Sequence, residues 1–473
     1  MNQISRASRL IAGFIVSVNL VALSASAQSK PYDRSEYIKQ GTVLSDDVRG
    51  TPVPPDLYAP SGSIVIHNAR LFDGTGASVR TVSILIEKNV IKDIGSSITA
   101  PEGARVIDAH GRTVMPGLID LHAHLTYVDK FGEPAQLTSE SQADAALRGA
   151  ERLRIYAESG ITSVRDTGSH GMAPFRLKDW VMKGRIAGPR VFAVGQVIVG
   201  EGGHGTENFA LGRSSPEYSQ SIAREAIGPD DWIKAVREQF KRGADAIKLA
   251  SHYSPEEIKA AVDEAHRLGL PVTVDSETIF TQMAVDAGVD SVEHPLPRSD
   301  KTIEDMAEKD IASVLTIVPY QFIIKLPGGY FGSTSRRFTL TEDIMFEQAR
   351  KMKEAGIKLG VGTDLIVDWI TYMPMPYIQE LHNFERIGYS PPEALQAATK
   401  INAEILGMGD RLGTIETGKL ADIIIVDGKP DEDLDALKNI ETVIIGGRVI
   451  VHGNQLVFPA PHKPKTLPFT FDQ

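Results

Sequence analysis

The chain has 473 residues, 42% hydrophobic and 23% charged, enough apolar material for one large α/β domain with an accessory module or for two to three smaller domains. Its 61 acidic against 50 basic residues give a net charge of −11, and no lysine- or arginine-rich run stands out, which argues against nucleic-acid and anionic-membrane partners. It has no cysteine, so disulfides and thiolate metal ligands are excluded, and any metal must be held by His, Asp, Glu or a modified Lys.

Arg6 and Arg9 precede an uncharged stretch from Leu10 to Leu23, closed by Ala25-Ser26-Ala27. A positive start, a short apolar middle and a small-residue exit predict a secretory signal peptide over residues 1–27. The apolar stretch falls short of the ~20 residues that a spanning helix needs. The expectation is therefore an exported protein, periplasmic or secreted, with no membrane attachment after cleavage. Residues 28–61, punctuated by Pro52, Pro54, Pro55 and Pro60, read as an extended arm. Residues 62–116 then carry short alternating strands (SIVIHNARLF, TVSILIEKNVIKDIG, RVIDAHGRTVMPG). The same texture returns in residues 412–460 (KLADIIIVDG, NIETVIIGGRVIVHG), which predicts one small β-sandwich built from both terminal segments, followed by a tail over 461–473.

Between them, residues 117–411 alternate apolar strands with amphipathic helices. The strands are LIDLHAH, ITSVRDT, RVFAVGQVI, AIKLA, PVTVD, SVEHP, ASVLTIV and KLGVGTD. In PEEIKAAVDEAHRLG, Ile258, Ala261, Val262, Ala265 and Leu268 line one helical face. Eight such units predict a (β/α)8 TIM barrel, an α/β fold, rather than an open sheet. Residues 198–230 follow the third strand without a clear helical start, and so long a loop at a barrel mouth is expected to be a lid or a binding element.

His122 and His124 end the first barrel strand, and residues i and i+2 on a strand share a face, so both imidazoles can reach one ion. Alone, two such histidines are more often polar surface. The other strand ends add to them: Lys248 amid apolar neighbours on the fourth strand, His294 after the sixth and Asp364 after the eighth. A buried lysine is costly unless paired, neutralised or modified. Catalytic residues drawn from several strand ends on one face are what this architecture supports.

The motifs VMPGLIDLHAHL, TSVRDTGS, GGHG, AIKLA, SVEHP and VGTD, with the tail AATKINAEILGMGDRLGTIETGKLADIIIVDG, resemble the metal-dependent amidohydrolase superfamily, specifically its imidazolonepropionase- and prolidase-like branch. The likeness runs from about Ser63 to Asn454. It implies that His122, His124 and Asp364 bind one divalent metal. It also implies that Lys248 is carboxylated by CO2 to a carbamate bridging to a second metal, and that His294 binds that second ion. The cofactors implied are two divalent ions, zinc first, with manganese, iron or cobalt as alternatives. The mechanism implied is attack by a metal-activated hydroxide, with Asp364 shuttling the proton to the leaving nitrogen.

Asp275 departs from the family pattern, which places a histidine ligand at the end of the fifth strand. Three readings stay open: Asp275 is itself a ligand, it is too short to reach the metal, or it orients His294 or another ligand. With two divalent cations, a carbamate, Asp364 and a hydroxide, the site sums to +1, and Asp275 would bring it to zero. By the resemblance His204, in the loop after the third strand, lines the mouth and contacts substrate, the alternative being a loop histidine in a glycine-rich turn; His252 and Tyr253 are candidates to face the mouth and bind substrate as well. Arg165 would anchor a substrate carboxylate or pair with Asp166. The loop GGYFGSTSRRF (328–338) reads as a substrate wall, with Arg336 and Arg337 solvated rather than catalytic. The expected substrate is a small molecule (a dipeptide, an N-acyl amino acid or a related amide) hydrolysed at a C–N bond. The alternatives are a cyclic amide, lactone or organophosphate on the same site, or a barrel that binds a ligand without turnover. A homo-oligomer is compatible with all of these.

Overall fold

The computed structural model describes residues 58–127, 141–204, 206, 220–325 and 340–459. The signal peptide, nearly all of the arm, residues 205 and 207–219 of the long loop after the third strand, the 328–338 loop and the tail lie outside these residues.

The two ends of the chain meet in one sheet. Its N-terminal strands are β1 (Ser63–Leu71), β2 (Arg80–Glu87), β3 (Val90–Gly95), β4 (Arg105–Asp108) and β5 (Thr113–Pro116). The barrel strands are β6 (Leu118–Ala123), β7 (Ile161–Asp166), β8 (Arg190–Ala193), β9 (Val197–Gly200), β11 (Ile247–Ala250), β12 (Val272–Asp275), β13 (Ser291–Glu293), β14 (Ala312–Leu315) and β15 (Leu359–Val361), with β10 (Ala223–Ala226) beside β9. The chain then returns to the terminal sheet as β16 (Ile423–Val426), β17 (Ile440–Ile445), β18 (Arg448–His452) and β19 (Gln455–Leu456). The terminal sheet runs β19-β18-β17-β16-β5-β1-β2-β3, with β4 on β1. Its two halves join where β5 pairs antiparallel with β16, Met115 opposite Ile424 and Pro116 opposite Ile423. The alternating apolar positions Ile64, Ile66, Ile84, Ile86, Ile423 and Ile425 form its core, as expected of a sheet with one buried face.

β6, β7, β11 and β12 are buried along their whole length, their polar residues Asp120, His122, Arg165, Lys248 and Asp275 included. Parallel registers run from β6 through β7 to β8, and from β9 through β11 to β15. The parallel bridge between Ala123 and Leu365 closes the ring. RVFAVGQVI, expected as one strand, is two: it breaks at Gly195, whose φ of +81° suits glycine, and a Cβ there would lie 2.5 Å from Gln239 Oε1. The helix Pro255–Arg267 starts at a Ser254/Glu257 capping box and buries Ile258, Ala261, Val262 and Ala265 as the periodicity predicts.

The seam between β6 and β15 is stitched by side chains. Asn402 donates to the carbonyls of Ile119 (2.7 Å) and Val361 (2.9 Å) and accepts from the Val361 N–H (2.8 Å). The Asp120 carboxylate accepts from the N–H groups of His122 and Thr363, each at 3.0 Å, and from the Thr363 hydroxyl. These contacts fix the ends of the first and eighth strands, where the site begins.

Candidate metal centre

His122 and His124 project from one face of the end of β6, with Ala123 between them buried on the other side. His122 Nδ1 lies 2.8 Å from Glu293 Oε2 and His124 Nδ1 lies 3.0 Å from the Gly168 carbonyl. A carbonyl and an ionised carboxylate only accept, so each ring donates from Nδ1 and leaves the Nε2 lone pair bare. Both lone pairs face one oxygen: Asp364 Oδ1 is 3.5 Å from His122 Nε2 and 3.2 Å from His124 Nε2. Burial, helped by the nearby Lys248 charge, pushes the His122 imidazolium down to about 3, so protonation of that ring does not relieve the facing lone pairs. Electron-rich atoms converging with no proton between them form a seat for a cation, and ligand atoms of His122, His294 and Asp364 lie within 4.8 Å of one another.

The support beneath these ligands is ionic. Glu293, fully buried, accepts from Arg165 Nη2 at 2.5 Å on one oxygen and from His122 Nδ1 on the other, and the Thr273 hydroxyl also donates to it. Burial raises the Glu293 carboxyl, yet the Arg165 charge and the hydrogen bond from His122 Nδ1 hold it below the usual carboxylate range. Arg165 also donates from Nε to the Leu121 carbonyl at 2.7 Å and is 3% exposed. This corrects the expectation for Arg165: it neither reaches the mouth nor pairs with Asp166, because Glu293 offers it a bidentate-capable partner inside the barrel. Arg298, buried below the next loop, donates to the carbonyls of Glu293 and His294. Glu293, Asp120 and Arg298 were not singled out from the sequence. His294 and Asp364 both adopt positive φ, 63° and 46°, so each leaves its strand in a left-handed turn. At His294 this breaks strand alternation and lets neighbouring Glu293 and His294 serve the same site.

The other side of the mouth gathers around Asp275 at the end of β12. One of its oxygens, Oδ2, is 3.0 Å from His294 Nε2, 3.4 Å from His204 Nε2 and 3.8 Å from Lys248 Nζ. The other, Oδ1, is buried without a hydrogen-bond partner among the described residues. Burial alone would raise this carboxyl, but His294, His204 and Lys248 hold it well below the carboxylate range. His294 Nδ1 shares a 2.6 Å hydrogen bond with the Thr316 hydroxyl. Lys248, 2% exposed, rises from β11 one strand away. The sequence-predicted His122, His124, Lys248, Asp275, His294 and Asp364 thus come together, with His204 beside them. Tyr253 does not join them: its hydroxyl donates to the Phe280 carbonyl at 2.9 Å and its ring packs edge-on against Trp232, turning it into the helical layer. The half-buried His252 sets its ring edge-on to Phe280 at 4.9 Å. No helix among the described residues is long and apolar enough to cross a membrane.

Residues 113–450 match the amidohydrolase family. The chain is 25% identical over 387 residues to the imidazolonepropionase of Geobacillus sp. (strain WCH70), covering 75% of this chain and 85% of that protein. Among solved structures it resembles a Xaa-Pro dipeptidase with bound methionine in the active site, with TM-score 0.72 and 28% identity, over 82% of this chain and 99% of that one. It likewise resembles the ochratoxinase of A. niger, with TM-score 0.70 and 25% identity, over 83% of this chain and 96% of that one.

Proposed function

The chain belongs to the amidohydrolase family and is a metal-dependent hydrolase of C–N bonds in small molecules; we propose that its substrate is a dipeptide, an N-acyl amino acid or a related small amide. One observation carries the mechanism: the Nε2 lone pairs of His122 and His124 converge on Asp364 Oδ1, with both Nδ1 atoms already committed to acceptors. The dipeptidase likeness supports the substrate class. His122, His124 and Asp364 would hold a divalent cation, which would supply Lewis acidity toward the scissile carbonyl and lower the pKa of a bound water.

The protein's own groups do the rest. Asp364 takes the proton from the attacking water and delivers it to the leaving nitrogen. Glu293 holds the His122 ring so that Nε2 faces the site, and the Gly168 carbonyl does the same for His124. Lys248 fits the family's carbamate: its neutral amine adds to CO2, a C–N bond forms and one proton leaves. The product would be an anion beside Asp275 and His294, and this resolves the burial of an ammonium group.

Amine release from a panel of dipeptides and N-acyl amino acids, with the protein metal-loaded and then stripped by chelator, tests this reading. Turnover of at least one of them, abolished on stripping and restored by zinc, is the expected result. No turnover of the panel by the loaded protein overturns the substrate class, and turnover that survives stripping overturns the mechanism. We also propose export, for which the support is residues 1–27 alone. A mature chain beginning at Gln28, read by N-terminal sequencing after expression in a bacterium, is the expected outcome.

A further inference from the structure

The strand-five ligand that the family pattern calls for is absent, since Asp275 stands there, one ring shorter than a histidine. The structure brings an imidazole to the same place from another direction. β9 ends at Gly200, and the chain turns back over the ends of β11 and β12. The Gly203 N–H donates to the Gly200 carbonyl at 2.9 Å, and the His204 N–H donates to the Ser251 carbonyl at 2.6 Å, just beyond β11. Ser251 in turn donates its N–H to the Asp275 carbonyl at 3.2 Å. The loop, the end of β11 and the end of β12 are thus tied by consecutive backbone hydrogen bonds.

This seat is tight. A Cβ on Gly203 would lie 2.3 Å from the Ser251 carbonyl oxygen, and one on Gly200 would lie 1.8 Å from that of His252. Gly200 and Gly203 are therefore needed for the close backbone approach that sets His204 over Asp275. From there the His204 side chain, 31% exposed, places Nε2 3.4 Å from Asp275 Oδ2, while His294 Nε2 reaches the same oxygen at 3.0 Å. The second oxygen, Oδ1, remains buried and unpartnered. Two imidazoles and a carboxylate with a spare buried oxygen are a divalent-cation donor set.

We propose that His204, together with Asp275 and His294, forms the second cation site of this chain, the loop histidine supplying the imidazole that strand five lacks. This rests on the metal-dependent reading above and reassigns His204 from substrate contact to metal ligation. Charge agrees with it: Asp275 and a Lys248 carbamate carry one negative charge each, and one divalent ion neutralises both.

The test is metal content of the full-length mature protein, loaded with zinc and bicarbonate, dialysed, and measured by plasma mass spectrometry. Wild type should retain about two zinc ions per chain, and His204→Ala and Asp275→Asn about one each, with unchanged far-UV circular dichroism. Gly203→Ala, which leaves the imidazole in the sequence but forces it off its seat, should also drop to about one. Two ions retained by His204→Ala, or one ion in wild type, overturns the assignment while leaving the first site and the hydrolase reading intact. No bound zinc in wild type overturns both.

Discussion

Replacing Arg165 by Met tests whether the ion pair beneath the site supports metal binding. Arg165 Nη2 and Glu293 Oε1 are 2.5 Å apart, and their side chains are 4% and 0% exposed. At an effective dielectric of about 20 the Coulomb attraction is about 7 kcal/mol, and much of it offsets the desolvation of the two ions. Removing the guanidinium leaves Glu293 as a buried carboxylate whose main cationic partner is gone, for which about 3–5 kcal/mol of lost stability is expected. The same change loosens the group that orients His122, so zinc affinity should fall by about 10–100-fold. Urea unfolding and competitive zinc titration measure the two effects separately. The double variant Arg165→Met/Glu293→Leu should recover most of the stability, since a packed apolar pair replaces a buried ionic one, and should not recover the zinc affinity. An Arg165→Met protein within about 1 kcal/mol of wild type and with unaltered zinc affinity would refute the role given to this pair.

Three further outcomes are expected. Asp364→Asn should lower kcat by about 10²–10⁴-fold, read in steady-state amine release, because an amide neither takes nor returns the proton. Asn402→Ala removes three hydrogen bonds across the β6–β15 seam and leaves buried backbone groups unpaired, and should cost about 3–5 kcal/mol in chemical denaturation. His266, hydrogen-bonded to Asp290 at 2.8 Å, is raised above its ordinary 6.5 chiefly by that bond. A raised folded pKa means stabilisation that is full below 6.5 and lost as pH climbs through the folded value, so the Tm of His266→Gln should decline less than that of wild type across this window, by under about 1 kcal/mol equivalent.

The barrel was legible because its strands are buried on both faces and its helices on one, and these leave two different periodicities in the sequence. The break in RVFAVGQVI was not, since a Gly between apolar residues reads equally well as strand. β10 was missed because AREA is short and half charged, and Arg224 there is held by Asp231 and Glu238 rather than by apolar packing. Of the site, His122 and His124 announced themselves through two-residue spacing. Glu293 did not, because alternation assigns it the face opposite His294, and only the positive φ at His294 reverses that. Arg165 misled for a related reason. A strand-end arginine looks solvent-facing until its partner, some 130 residues later in the chain, is found inside the barrel.

The pairing of β5 with β16 has a consequence in time. Residues 113–116 wait for residues 423–426, about 310 positions downstream, before that edge is covered. At a synthesis rate of about 5–20 residues per second, the first five strands stand for about 15–60 s with the flank of β5 open. An open, apolar flank such as Thr113-Val114-Met115 is a template for any other extended chain that meets it. The interval before residue 426 arrives is therefore when this protein is most exposed to wrong partners, and a C-terminal truncation that removes β16 makes that exposure permanent.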